Sequence, residues 1–279
     1  MTSGEPTAAS ASKPNFPIPR KITVKEVTVL SPRMRRVTFI SDQFDGFEPP
    51  LPGAHIKLFF VPGDFDWSLM DNSPVRPLPP SRTYTPRNVR PEIGEIDIDF
   101  MLHGEGIASG WARQATPGQH LVLAGPRGGY VPPETADRLI IVADDTAIPA
   151  ASMVLEAAGE TRIAEMILEV DTLEEERPLS PHVPFSPIWL HRAEGIGKAF
   201  GERLVEEVRR AAREYPDAYW WVACESGIMR RIRHSLAQEF DVPADRLLTR
   251  GYWKQQAENY PDNDYGDDSA SKAGHSHTH

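Results

Sequence analysis

The 279-residue chain contains a single cysteine, Cys224. An internal disulfide is excluded, and a lone thiol suits a reducing cytoplasm. No stretch approaches the run of ~18 apolar residues that a membrane-crossing helix requires. Met1–Lys13 has no basic cluster leading into an apolar core, so it does not read as a secretory signal. Acidic residues outnumber basic ones, 40 Asp and Glu against 30 Lys and Arg. The formal net charge is −10, which disfavours nucleic acid and anionic membrane as bulk partners. Part of the negative charge sits near the C-terminus, at Glu258, Asp262, Asp264, Asp267 and Asp268. The body is closer to neutral and has room for a local basic pocket. The sequence shows no internal repeat, no nucleophilic triad and no zinc-type ligand spacing. His275, His277 and His279 alternate in a tail without fixed geometry, so no metal site is expected. No long apolar stripe calls for a partner copy, and a monomer is expected.

What is present suffices for packed cores: 40% of residues are hydrophobic and 25% charged. Residues 1–17 and 258–279 are polar and aperiodic and are expected to be disordered. Residues 18–133 carry short apolar strands broken by Pro and Gly, at Val24–Leu30, Arg36–Ile40, His55–Phe60, Ile96–Leu102 and His120–Ala124. That pattern predicts an antiparallel six-stranded β-barrel. A long loop over 62–80 interrupts it, and its length hints at function. In 134–257 the pattern changes. Buried strands at Leu139–Ala143, Met166–Val170, Ile188–Leu190 and Tyr219–Cys224 alternate with helical segments at Thr146–Gly159, Lys198–Glu214 and Ser226–Phe240. Alternation of this kind predicts a parallel sheet covered on both faces.

Two stretches carry chemistry. In Arg82-Thr83-Tyr84-Thr85-Pro86-Arg87, strand geometry puts Arg82 and Tyr84 on one face. A forked cation beside a flat ring suits a ligand with a phosphate and a stackable ring system, as in a flavin dinucleotide. A surface arginine beside a cross-strand tyrosine is the plainer alternative. The second stretch runs from Asp97 to Ala112, where His103-Gly104-Glu105-Gly106 leads into a short helix. Free N–H groups at such a helix start form an anion site. The alternative is a glycine-rich turn with Trp111 as core filler.

These stretches, with Ala124-Gly125-Pro126-Arg127-Gly128-Gly129, Ala143-Asp144-Asp145-Thr146-Ala147-Ile148-Pro149-Ala150, Trp221-Val222-Ala223-Cys224-Glu225 and Arg250-Gly251-Tyr252-Trp253-Lys254, resemble the siderophore-interacting protein family over residues 20–255. The resemblance implies an FAD-dependent ferric-siderophore reductase of the ferredoxin-reductase-like superfamily. It assigns Arg82 to the pyrophosphate, Tyr84 to the isoalloxazine and Thr85 to its reactive edge, with Thr83 between them. Asp97 and Asp99 stand where the family keeps acidic residues near the flavin. His103, Gly104 and the turn through Ser109 and Trp111 cradle the phosphates. Asp144, Thr146 and Ala147 approach the flavin from the second domain. The family's Gly-Pro-Ala-like step before the tryptophan is replaced here by Ile107-Ala108-Ser109-Gly110.

A dinucleotide-binding turn normally reads Gly-x-Gly-x-x-Gly, because glycines admit the pyrophosphate to the backbone. The corresponding turn, Asp144-Asp145-Thr146, has no glycine and carries two carboxylates. Weak or atypical NAD(P)H binding is therefore expected, with reduced ferredoxin as an alternative donor. By the same resemblance Lys57, Arg127 and Lys254 would meet an anionic ferric siderophore. Cys224 and Glu225 would lie near the donor. Hard oxygen ligands hold Fe³⁺ tightly and Fe²⁺ poorly, so one electron releases the metal. A flavin takes electrons as a pair and returns them singly. The competing readings are a generic NAD(P)H:flavin or ferredoxin reductase, and an FAD-containing siderophore-binding protein without turnover.

Overall fold

The computed structural model describes residues 19–44, 47–62, 79–158, 162–179, 186–195, 197, 199–261 and 264–266. Nearly all of the expected 62–80 loop, the N-terminal stretch and the three terminal histidines lie outside the described residues.

The first half forms β1 (Arg20–Ser31), β2 (Met34–Ile40), β3 (His55–Phe59), β4 (Ser81–Tyr84), β5 (Pro86–Arg90), β6 (Glu95–Met101) and β7 (His120–Arg127). They hydrogen-bond in the order β4-β3-β7-β1-β2-β6-β5, and every pairing is antiparallel. The two edge strands of this sheet are consecutive halves of one run, separated only by Thr85. The sheet therefore closes on itself. Counting that run once yields the expected six-stranded barrel, and closure removes the exposed edges.

Strand period explains what fills the barrel. In β6, Ile96, Ile98 and Phe100 are fully buried in the core while Glu95, Asp97 and Asp99 alternate with them on the other face. These carboxylates are covered by basic neighbours. Arg36 donates two bonds to Asp99, at 2.7 and 2.9 Å. Asp97 accepts from Thr38, Asn88 and Arg90 at 2.8–3.2 Å. Helix α1 (Ile107–Gln114) delivers Trp111 against Phe39, Phe60 and Phe100, with centroids 6.0, 5.9 and 5.4 Å away. Trp111 is thus a component of the barrel core.

The second half forms β8 (Leu139–Asp144), α2 (Ile148–Ala158), β9 (Ile163–Val170), β10 (Ile188–His191), α3 (Glu202–Glu214), β11 (Tyr219–Glu225), α4 (Ser226–Gln238) and β12 (Leu247–Trp253). The parallel order is β10-β9-β8-β11-β12. One apolar cluster packs α3 and α4 on one face, and a second packs α2 on the other. No helix among the described residues is long and apolar enough to cross a membrane.

Two strands escaped the sequence reading. β5 reads Pro-Arg-Asn-Val-Arg and is held by its pairing with β6 and by the two bonds that Arg87 donates to Glu156 of the second half. β12 reads Leu-Leu-Thr-Arg-Gly-Tyr-Trp, where an arginine and a glycine obscure the alternation. The expected disordered stretch from 258 onward also needs correction for residues 258–261 and 264–266. The Asp264 side chain accepts from Tyr260, Arg230 and the Gly266 amide, at 2.6, 2.9 and 3.0 Å. Its carbonyl accepts from the Gly251 amide at 2.9 Å. A Cβ at Gly251 would lie 2.5 Å from that carboxylate, so the close approach requires glycine. Asp264, which read as solvated, is here supplied with donors by Tyr260, the Gly266 amide and Arg230 of α4.

Candidate functional site

In an open parallel sheet, ligands sit beyond the carboxyl ends of the strands where the strand order reverses. Here that point lies between β8 and β11: β9 and β10 follow on one side and β12 on the other. Against it stands the barrel run interrupted at Thr85. Between the two is a cavity of about 530 Å³, lined from the barrel by Arg82, Thr83, Tyr84 and Thr85 and from the second domain by Thr146 and Trp253 among others.

Arg82 and Tyr84 lie across from Leu58 and Ile56 in the β3–β4 register, so they share the inward face. The Tyr84 ring tilts over Phe100 with centroids 4.5 Å apart. Burial holds its hydroxyl well above the usual tyrosine range. One Arg82 nitrogen donates to the Ser81 carbonyl at 2.9 Å, and another stands 3.9 Å from the exposed Glu258 carboxylate. Asp99, His103 and Ser109 also line the cavity. Ser109 closes the turn: its hydroxyl accepts from the His103 amide at 2.8 Å. Helix α1 then starts at Gly106 with no side-chain cap. A Cβ at Gly104 or Gly106 would meet nothing within 4 Å, so the cavity side of this turn is open. Burial lowers the His103 pKa; Asp145 opposes this, while Arg33, Arg113 and Arg82 add to it. Arg82 in the lining and the uncapped helix start make this end of the cavity suited to an anion.

Other expected site residues lie elsewhere. Asp97 and Trp111 occupy the barrel positions given above, outside the lining. Asp144 and Ala147 lie behind the wall, both buried. Lys57 shares a face with Thr83 and Ala124, opposite to that of Ile56 and Leu58, and does not line the cavity. Arg127 is exposed at the end of β7, paired with cavity-lining His55. Of the three expected substrate cations only Lys254 is in the lining. Cys224 is buried in the α3–α4 core, and burial pushes its thiol well up. Glu225 caps α4, accepting from the Ile228 amide at 2.9 Å.

Sequence reasoning gave no role to Arg250, His55 and Tyr252, which all line the cavity. Arg250 approaches His55 at 3.5 Å and donates to the Tyr265 hydroxyl at 2.7 Å. Tyr252 and Thr85, from the two domains, both line the cavity. Arg250 and Tyr252 stand in a stretch that the family resemblance had marked, but their convergence with His55 spans the chain.

Residues 23–130 match the siderophore-interacting FAD-binding domain, and residues 136–256 match the siderophore-interacting protein domain. Ferric vibriobactin reductase ViuB of Vibrio cholerae is 30% identical over 247 residues, covering 85% of this chain and 90% of ViuB. The chain belongs to the siderophore-interacting protein family. The NADPH-dependent ferric-chelate reductase of Escherichia coli is likewise 30% identical, over 84% of this chain and 92% of that one. The crystal structure of siderophore-interacting protein SipS from Aeromonas hydrophila superposes with a TM-score of 0.70 at 29% identity, covering 87% and 94% of the two chains. FAD fits the siderophore-interacting protein described here. The open glycine turn and uncapped helix start suit its pyrophosphate, and the Tyr84 face suits its ring system.

Beneath the cavity, Arg192 reaches both Asp145 and Glu169. Burial raises Glu169 to about 7 in spite of that arginine. The unfolded chain releases this proton near the ordinary carboxylate range, whereas the folded chain keeps it to about pH 7. Stability from this group is therefore lost as pH rises between those values. Glu169→Gln should be more stable than the parent at pH 8 by on the order of 1–3 kcal/mol and nearly equal to it at pH 5. Melting both proteins across that range checks this. A difference independent of pH contradicts it.

Proposed function

We propose that this protein is a cytoplasmic, monomeric FAD-dependent reductase that takes ferric siderophores as substrate and releases Fe(II). The observation that carries the reading is one cavity shared by the Arg82–Thr85 strand and the end of β12, with Arg82, Arg250 and Lys254 in its lining. Three cations, against the two carboxylates Asp99 and Glu258 in the same lining, in a chain of net charge −10 suit an anionic chelate. Arg82, Tyr84 and Thr85, with the turn from His103 to Ser109, would hold the cofactor. Lys254 and Arg250 would orient the chelate by charge, and Lys57 and Arg127 would act in its approach from outside the cavity.

Bound FAD supplies the conversion between a donor's electron pair and single-electron delivery. The chelate's own oxygen ligands hold the metal, and after one electron they hold it weakly. No protein ligand to iron and no general base is needed. Each NAD(P)H oxidised must therefore yield two Fe(II). The acidic Asp144-Asp145 turn supports weak nucleotide binding, and NADPH is the donor named for the Escherichia coli relative; reduced ferredoxin is the second candidate.

The test is an anaerobic screen crossing hydroxamate and catecholate ferric chelates with NADH, NADPH and reduced ferredoxin, trapping Fe(II) with ferrozine. Two Fe(II) per nucleotide are expected. A yellow protein that binds chelate and yields no Fe(II) with any donor is a sequestering protein instead.

A further inference from the structure

We propose that Asp144 is a positioning residue. It touches no ligand itself and fixes the Trp253 indole and the Thr146 hydroxyl on the wall of the FAD cavity. The side chain is 2% exposed and lies outside the lining, at the end of β8 on the switch point of the sheet. Its Oδ1 accepts from the Thr146 amide at 3.0 Å and the Thr146 hydroxyl at 2.6 Å. Its Oδ2 accepts from the Glu225 amide at 2.9 Å and the Trp253 Nε1–H at 2.7 Å. One carboxylate thus ties together the β8–α2 turn, the end of β11 and the end of β12.

Two chemical consequences follow. A carboxylate offers about four acceptor positions, and fixed donors take all of them, so the ionised form is the one this geometry requires. An indole has a single polar atom, so the bond from Nε1 sets the orientation of the Trp253 ring, with Phe200 packed edge-on 6.0 Å away. Thr146 spends its only hydroxyl proton on Asp144, and what it presents to the cavity is an acceptor. A ligand N–H is the group that matches it.

The charged groups around Asp144 are Asp145, Glu169 and Arg192 on its own side of the sheet, and Glu225 at the end of β11. Arg192 is engaged by Asp145 and Glu169 and does not bond Asp144. Burial, with Asp145 adding to it, raises Asp144 to about 6. Protonation at that point puts an O–H among four donors, and one of them must leave.

Asp144→Asn keeps size and shape but turns one oxygen into a donor, so the pair of donors that oxygen served, either the Thr146 amide and hydroxyl or the Glu225 amide and Trp253 indole, loses its acceptor. The experiment compares the FAD-loaded wild type with Asp144→Asn, Trp253→Phe and the double variant, reading the FAD dissociation constant and the flavin absorption envelope. We expect Asp144→Asn to weaken FAD about tenfold with an altered envelope, since the Trp253 ring and the Thr146 hydroxyl lose the carboxylate that orients them. In the Trp253→Phe background the same change should cost less than about threefold, because coupled residues are not additive. Equal effects in both backgrounds mean a general structural role and overturn the proposal, as does an unaltered affinity and spectrum. Should Asp144→Asn not fold, the flavin spectrum of the loaded wild type is titrated from pH 8 to pH 5. An inflection near pH 6 that Trp253→Phe abolishes supports the proposal, and its absence from the wild type overturns it. The inference rests on the FAD reading above. Wild-type protein that takes up no FAD sinks that reading, whereas wild type that binds FAD normally beside an indistinguishable Asp144→Asn sinks only this one.

Discussion

Replacing Arg82 with alanine is expected to weaken FAD binding about a hundredfold, the loss of ~3 kcal/mol that a pair of charge-assisted hydrogen bonds supplies. The geometry favours a large effect. Arg82 shares the inward face of β4 with Tyr84, and its own protein partners are weak: one neighbouring carbonyl and a carboxylate 3.9 Å away on an exposed side chain. Its charge is therefore available to a ligand. Lysine at this position should recover only part of the affinity, because a point charge cannot reproduce the planar fork. Adding Tyr84→Ala removes the ring that stands over Phe100, and the double variant should purify colourless. Gel filtration after FAD loading, with flavin absorbance read against protein, measures both. Retention of FAD by the double variant at the wild-type ratio would falsify the assignment of this strand to the cofactor.

Trp111→Ala should have the largest effect on stability, on the order of 3–5 kcal/mol, the range for removing a large aromatic from a packed core. Trp111 packs against the barrel core at Phe39, Phe60 and Phe100, with all three centroids within 6.0 Å. The informative partner is Trp111→Phe. It keeps an aromatic against the core, so it should lose less stability and hold FAD within about threefold of wild type, as expected when a half-buried side chain outside the cavity lining contacts no ligand. Denaturant melts and FAD titrations on both variants separate the two roles. A Trp111→Phe protein that melts normally but binds FAD far more weakly would return Trp111 to the cofactor site, where the family resemblance had put it.

The sequence carried a good deal of the fold because its signals were local. Period-two alternation in Glu95–Met101 and the apolar run Leu139–Ala143 are each set by neighbours within a few residues. β5 and β12 were hidden for the converse reason: Pro, Asn, Arg and Gly interrupt their patterns, and pairing with β6 and β11 holds them in place. The residues 258–261 and 264–266 were misread in the same way. Their acidity is a solvation signal only until Tyr260, Arg230 and the backbone of β12 meet Asp264.

For the site, the amino-acid sequence by itself determined the family, the barrel followed by an α/β domain, and the strand bearing Arg82, Tyr84 and Thr85. Those features are written in residue order, and residue order survives without coordinates. Tertiary structure alone decided which of the marked side chains share a space. It put Asp97 into the barrel wall and Trp111 against the barrel core, left Lys57 outside the cavity lining, spent Glu225 on capping α4, and brought His55 to Arg250 across the chain. The physical reason is that a side chain's role depends on which face its strand presents and which donors the distant chain supplies, and both are set only when the barrel closes against the sheet.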